Sequence, residues 1–275
     1  MQERVERAGD VVLHTVGDGP ALVVVHGGGV TIDSYRRLAR KLSDSFTVHL
    51  YNRRGRADAP PRSEPYDVQE DVDDLGTVLE HTGATDVIGH SSGGFIALTA
   101  ALQLPIVRLA LYDAAVSVNG LFPAQWLDSA RAAARDGDVA RAMAITGAGI
   151  NTQSRASALP LGVQIAMSRL LLRTPVGRTM GALLPMTLDE SQAIARADGP
   201  PSRWAGVTAE VLLLRGADGP PYYEQLNDAL AAALPHARAA AVRGGHDGIN
   251  RAPAQLIRTF AAFFGSTASR QRSVR

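Results

Sequence analysis

Short runs rich in Val and Leu alternate with stretches of helical period along most of this 275-residue chain, and that alternation limits the folds open to it. Strands are expected at residues 11–16, 22–26, 47–51, 86–89, 107–112, 211–215 and 237–242. Helices are expected between them, near 34–42, 68–81, 92–104, 222–234 and 253–264. Strand runs without polar alternation imply burial on both faces, and each intervening helix supplies the crossover that parallel pairing needs. The class is therefore α/β, a mostly parallel sheet between two helical layers.

From about Val116 to Trp204 the alternation stops. Helical segments at 123–135, 139–145, 162–172 and 175–184 follow one another, broken by Gly and Pro, with no convincing strand. A helical block inserted between two strands reads as a cap over the sheet. The expected division is a core of residues 1–115 and 206–268, a cap of 116–205, and a frayed polar tail of 269–275. In the helix near 68–81, Val68, Val72, Leu75 and Leu79 share one stripe. Glu70, Asp71, Asp73 and Asp74 are expected to face water near its start, where negative charge suits the helix dipole.

The chemistry concentrates at Gly89-His90-Ser91-Ser92-Gly93, a G-x-S-x-G between a strand and a helix. That is the form of a nucleophile elbow, a turn sharp enough to hold its serine in a strained backbone conformation above the sheet edge. A serine hydroxyl needs a base within reach, and seven histidines are available. His14, His49, His81 and His236 fit core or surface positions. His26 closes a strand ahead of a glycine loop, and the side chain of His90 should point away from the reaction. His246, in the Gly-rich loop Arg243-Gly244-Gly245-His246-Asp247-Gly248 after the last strand, is the expected base. Asp218, after the penultimate strand, is the expected carboxylate partner, with Asp113 competing from the end of the strand at 107–112. The expected oxyanion donors are the backbone N–H groups of Ser92 and Gly28, the latter in His26-Gly27-Gly28-Gly29. Trp126, Met143 and Met167 are candidate pocket residues of the cap, with packing between cap helices as the competing role.

Other chemistries find little footing. Position 32 is Ile, so G-x-G-x-x-G fails after Gly27, and no Walker lysine follows either glycine turn. No pair of histidines has metal-ligand spacing. The chain has no cysteine and a formal net charge of +1, so neither thiol chemistry nor a nucleic-acid or membrane partner is expected. The charged N-terminus, Met1-Gln2-Glu3-Arg4, does not read as a signal peptide, and a cytoplasmic location is expected.

Five motifs in this order resemble the α/β-hydrolase superfamily, specifically its small bacterial serine hydrolases with a helical cap. They are His26-Gly27-Gly28-Gly29, Tyr51-Asn52-Arg53-Arg54-Gly55-Arg56, Gly89-His90-Ser91-Ser92-Gly93-Gly94, Gly216-Ala217-Asp218 and Gly244-Gly245-His246. The resemblance covers roughly two-thirds of the chain, the sheet parts on either side of the cap. It implies an eight-stranded sheet with a first strand near residues 3–6, a Ser-His-Asp triad and no cofactor. The chain departs from many relatives in carrying Asn52 where they have Asp, and in placing Asp218 two residues after Gly216 where they have three. Serine at position 91 argues against the haloalkane dehalogenase and epoxide hydrolase branches. The expected activity is hydrolysis of an ester, lactone or thioester of a small, fairly apolar molecule by a monomer or homodimer. Lyase, cyclase or C–C hydrolase chemistry on the same scaffold, and non-catalytic ligand binding, are the alternatives.

Overall fold

The computed structural model describes residues 3–265. The expected tail, 269–275, lies outside them. Among the described residues, eight strands form one sheet in the order β1-β2-β4-β3-β5-β6-β7-β8. These are β1 (Arg4–Ala8), β2 (Val11–Val16), β3 (Ala21–Val25), β4 (Thr47–Tyr51), β5 (Asp86–His90), β6 (Arg108–Tyr112), β7 (Glu210–Gly216) and β8 (Ala237–Val242). The first two are antiparallel to their neighbours and the other six run parallel. Central strands are buried on both faces, as at Val87, Ile88, Leu109 and Leu213, which is why they read as continuous apolar runs.

Helices clothe both faces. On one side lie α2 (Val68–Thr82), α3 (Ser92–Ala100) and α9 (Tyr222–Ala233), packing Leu75, Ile96 and Leu226. On the other lie α1 (Arg36–Leu42) and α11 (Ala254–Gly265), packing Leu38 and Phe260, with the short α10 (Gly248–Arg251) beside them. Between β6 and β7 come α4 (Leu127–Arg135), α5 (Val139–Ile150), α6 (Leu161–Leu171), α7 (Pro175–Ala182) and α8 (Leu184–Arg196). This block has its own apolar centre of Leu127, Ala130, Met143, Leu184 and Leu188.

Two expectations change here. The expected helical segments stop at residue 184 and leave out α8, whose second residue is Pro185. It sits in the first turn, where its missing N–H costs nothing, and the chain restarts immediately after α7. The acidic face of α2 is not wholly solvated either. Asp71 and Asp74 are buried against Arg53 and Arg54, which follow β4, while Asp73 stays exposed.

Candidate active site

β5 ends at His90, and Ser91 turns the chain into α3 with φ 53° and ψ −125°. A non-glycine residue there is strained by roughly 1–3 kcal/mol, and surrounding contacts must hold it. They do. Ser91 N–H donates to the Tyr112 carbonyl at 3.2 Å, and its own carbonyl accepts from Gly94 N at 2.9 Å and Ala115 N at 2.9 Å. A Cβ on Gly93 would lie 2.4 Å from the carbonyl oxygens of Val25 and His26, so α3 approaches β3 this closely only with glycine there.

His246 reaches the same cavity from the loop after β8. Its Nδ1 lies 3.3 Å from Asp113 Oδ2 and 3.1 Å from the Tyr223 hydroxyl. The carboxylate fixes the tautomer: Nδ1–H faces Asp113, which leaves Nε2 as the acceptor. The carboxylate that meets His246 is thus that of Asp113 and not that of Asp218. Asp113 is fully buried at the end of β6, itself left-handed with φ 42°, and its Oδ1 accepts from Gly216 N at 3.0 Å. Asp218 is exposed and clips the histidine loop, accepting from Gly244 N at 3.2 Å through Oδ2 and donating to the Gly244 carbonyl at 3.0 Å. The physical reason is strand order. β6 adjoins β5, so its end lies beside the serine turn, while the turn after β7 bends toward β8.

His90 is part of the cavity lining and braces the loops around it. Gly27 N–H donates to the Tyr35 hydroxyl at 2.9 Å, and that hydroxyl donates to His90 Nδ1 at 2.5 Å. His90 Nε2–H then donates to the His246 carbonyl at 3.1 Å. The chain of donors ties the glycine loop to the histidine loop through the residue before the serine. Burial, helped by the neighbouring His246 ring, pushes the His90 pKa well below its ordinary value and keeps it neutral for this role. His26 is similarly depressed by burial and by Arg56 and Arg53, and its Nε2 accepts from Arg53 N at 3.1 Å.

One feature of the site was invisible in sequence. Glu190, on α8, is 1% exposed, and its Oε2 accepts from the Ser92 hydroxyl at 2.8 Å and from Arg53 Nη1 at 3.3 Å. Its Oε1 pairs with Arg53 Nη2 at 2.9 Å and with Arg56. Arg53 bonds Asp71 at 3.1 and 3.2 Å on its other edge, so two buried arginines meet two buried carboxylates. Burial opposes ionisation of Glu190, but Arg53 and Arg56 outweigh it and hold the carboxyl at about 2. The carboxylate presses on the glycine loop, 3.1 Å from where a Cβ on Gly28 would stand. No sequence signal singled it out, because α8 was not predicted and Glu190 stands among other polar residues, Thr187, Asp189, Ser191 and Gln192.

Ser91, Ser92, Gly28 and His246 all line a cavity of about 180 Å³ beneath the cap. Ser92 is the first residue of α3, so its N–H has no intrahelical acceptor and is oriented toward ligands above the turn. Met143 lines this cavity too, and Met167 lines an adjoining outer cleft. Trp126 lines neither. It packs in the cap centre against Gly149, where a Cβ would stand 2.2 Å from the indole Cγ, and so is corrected from pocket to cap packing. Among the described residues no group of three or more His, Asp or Glu could hold a metal ion, and no helix is long and apolar enough to cross a membrane.

Residues 22–259 match the alpha/beta hydrolase family. The chain belongs to that family. An alpha/beta hydrolase of Sphaerobacter thermophilus superposes over 94% of this chain and all of its own, with 25% identity and a TM-score of 0.73. The enol-lactonase of Burkholderia xenovorans covers 95% of this chain and all of its own with a TM-score of 0.69, and at 20% identity it shows the fold alone. Among curated sequences, an uncharacterized hydrolase, YraK, of Bacillus subtilis is 34% identical over 93 residues, 32% of this chain and 34% of its own length. The pimeloyl-[acyl-carrier protein] methyl ester esterase of Stenotrophomonas maltophilia is 34% identical over 100 residues, 35% of this chain and 36% of its own. The chain spans about a third of the length of these curated relatives.

Proposed function

We propose that this alpha/beta hydrolase is a serine hydrolase that cleaves an ester, lactone or thioester of a small molecule through Ser91, His246 and Asp113. Asp113 takes the role the sequence order suggested for Asp218. His246 Nε2 takes the Ser91 proton as Oγ attacks the carbonyl carbon, and Asp113 stabilises the imidazolium. The N–H groups of Ser92 and Gly28 meet the oxyanion. His246 then protonates the leaving atom, and water repeats the sequence on the acyl-enzyme. The observation that carries the reading is the Asp113–His246 contact in the loops around a serine at φ 53°, since a non-glycine residue keeps a positive φ only where its surroundings hold it. The partial sequence likeness to a pimeloyl-[acyl-carrier protein] methyl ester esterase agrees with an acyl-transfer reaction. The working setting remains the cytoplasm, with residues 116–205 acting as a cap over a core of 1–115 and 206–268, as monomer or homodimer.

The test is labelling by a serine-directed fluorophosphonate, with kinetics on a simple ester. Ser91→Ala should abolish labelling. Asp113→Asn should lower kcat by about 10³-fold or more through loss of the productive tautomer, and Asp218→Asn by less than about tenfold. Equal and severe losses in both aspartate variants would return the acid to dispute. A wild-type protein that resists the fluorophosphonate would end the serine mechanism.

A further inference from the structure

Two cavities of unequal size meet at His246. The inner one, about 180 Å³, holds Ser91 and is lined in part by Phe122, Leu184 and Ile194. The outer one, about 590 Å³, opens between Met167 and Leu171 of α6 and the core loops at Asp218 and Gly245. Met143, Gly147, Asn151, Met180, His246 and Asp247 line both and form the throat. Ser91 lines only the inner cavity.

Proton transfer decides which half of a substrate goes where. The imidazole that receives the Ser91 proton must deliver it to the leaving oxygen or sulfur. That atom therefore lies against His246, at the throat, and whatever is attached to it extends into the outer cleft. The acyl group, on the far side of the carbonyl carbon, is left with the inner chamber. The chamber's walls then set its chemistry. They include Phe122, Leu184 and Ile194 but no Lys or Arg, and the one buried carboxylate among them, Glu190, is already paired with Arg53 and Arg56. An acyl group bearing a carboxylate would meet no cationic Lys or Arg side chain on these walls. The outer cleft mixes apolar Met167 and Leu171 with polar Gln164, Asn151 and Arg251, suited to a large leaving group with both kinds of surface.

We infer that the substrates are esters or thioesters of a compact, uncharged, apolar acid with a bulky alcohol or thiol. The inference rests on the serine-hydrolase reading and adds an orientation to it. Ser91 Oγ bonds to the acyl carbon, the bond to the leaving atom breaks, and that atom departs with the proton from His246. Water then supplies the hydroxyl of the released acid, and its proton returns to Ser91.

The wild-type enzyme tests this with two ester series whose leaving alcohols have similar acidity. Butanoate esters of methanol, phenethyl alcohol and naphthylethanol vary the leaving group. Naphthylethyl esters from acetate to dodecanoate vary the acyl group. The expected result is that kcat/KM rises about tenfold or more from the methyl to the naphthylethyl butanoate, and falls about tenfold or more from butanoate to dodecanoate. Ala148→Trp, which narrows the outer cleft alone, should cut the naphthylethyl-over-methyl preference about tenfold. An enzyme that labels with fluorophosphonate yet prefers methyl dodecanoate to naphthylethyl butanoate overturns this orientation and leaves the serine mechanism standing. An enzyme that neither labels nor turns over any ester overturns both.

Discussion

Two helices of the cap are built on opposite principles. α8 is nailed to the core: Leu184, Leu188, Ser191 and Ile194 are buried along it, and Glu190 reaches through to Arg53, Arg56 and Ser92. Its neighbour Asp189 bonds Arg62 at 2.8 Å and Arg131 at 3.0 Å. α6 has no buried residue, and Leu170 is 65% exposed. The rigid helix covers the inner chamber and the loosely held one covers the outer cleft. Burial and charge pairing that hold the insertion to the core are thus concentrated on one of these helices and sparse on the other.

The largest test of that contrast is Glu190→Gln. It leaves two buried guanidinium groups short of a counter-charge and should destabilise the protein by about 3–5 kcal/mol in denaturant unfolding. A loss below about 1 kcal/mol would mean α8 is not anchored by charge. Acid should weaken the same region. His26 and His90 have folded pKa values depressed below their ordinary 6.5, so below that pH the unfolded chain binds more protons than the folded one. Stability should therefore be intact above about pH 6.5 and fall as pH drops, by up to about 1.4 kcal/mol per pH unit for each histidine. Unfolding free energies measured from pH 7 to 5 would check the slope, and a flat profile would contradict it. The Glu190 contribution has the same sign in a lower window, fully present above its ordinary 4.5 and lost toward about 2.

A smaller effect is expected from Ser92→Ala, which removes the hydrogen bond donated to Glu190 and the one accepted from Arg53 while keeping the backbone N–H. It should cost about 1–2 kcal/mol. On α6, Leu170→Ser should change stability by no more than about 0.5 kcal/mol, read as a thermal melt. If Leu170→Ser proved as damaging as Ser92→Ala, the contrast between the two helices would fail.

What could be read from the residues, and what could not, divides along range. The strand at 86–89, the turn at Ser91 and the Gly-rich loop at His246 are local signals, and β5, the elbow and the loop after β8 lie where those signals put them. The partner carboxylate was legible only as a choice. Asp113 and Asp218 both follow strands, and nothing within five residues of either reports which one a loop from another strand will meet. Asp71 and Asp74 fit a solvated stripe because their arginines come 18 and 20 residues earlier. Glu190 meets an arginine 137 residues away.

The order of residues along the chain was enough to specify an α/β sheet, its helical insertion, and a serine and a histidine poised on turns, because each depends on hydrophobic period and on backbone geometry that near neighbours set. Which aspartate faces the imidazole, which helix of the cap is anchored, and how the cavity divides on either side of His246 came only with the assembled protein. Those features are contacts between groups distant in sequence. Their energies come from burial and charge pairing, which exist only after the chain has closed around them.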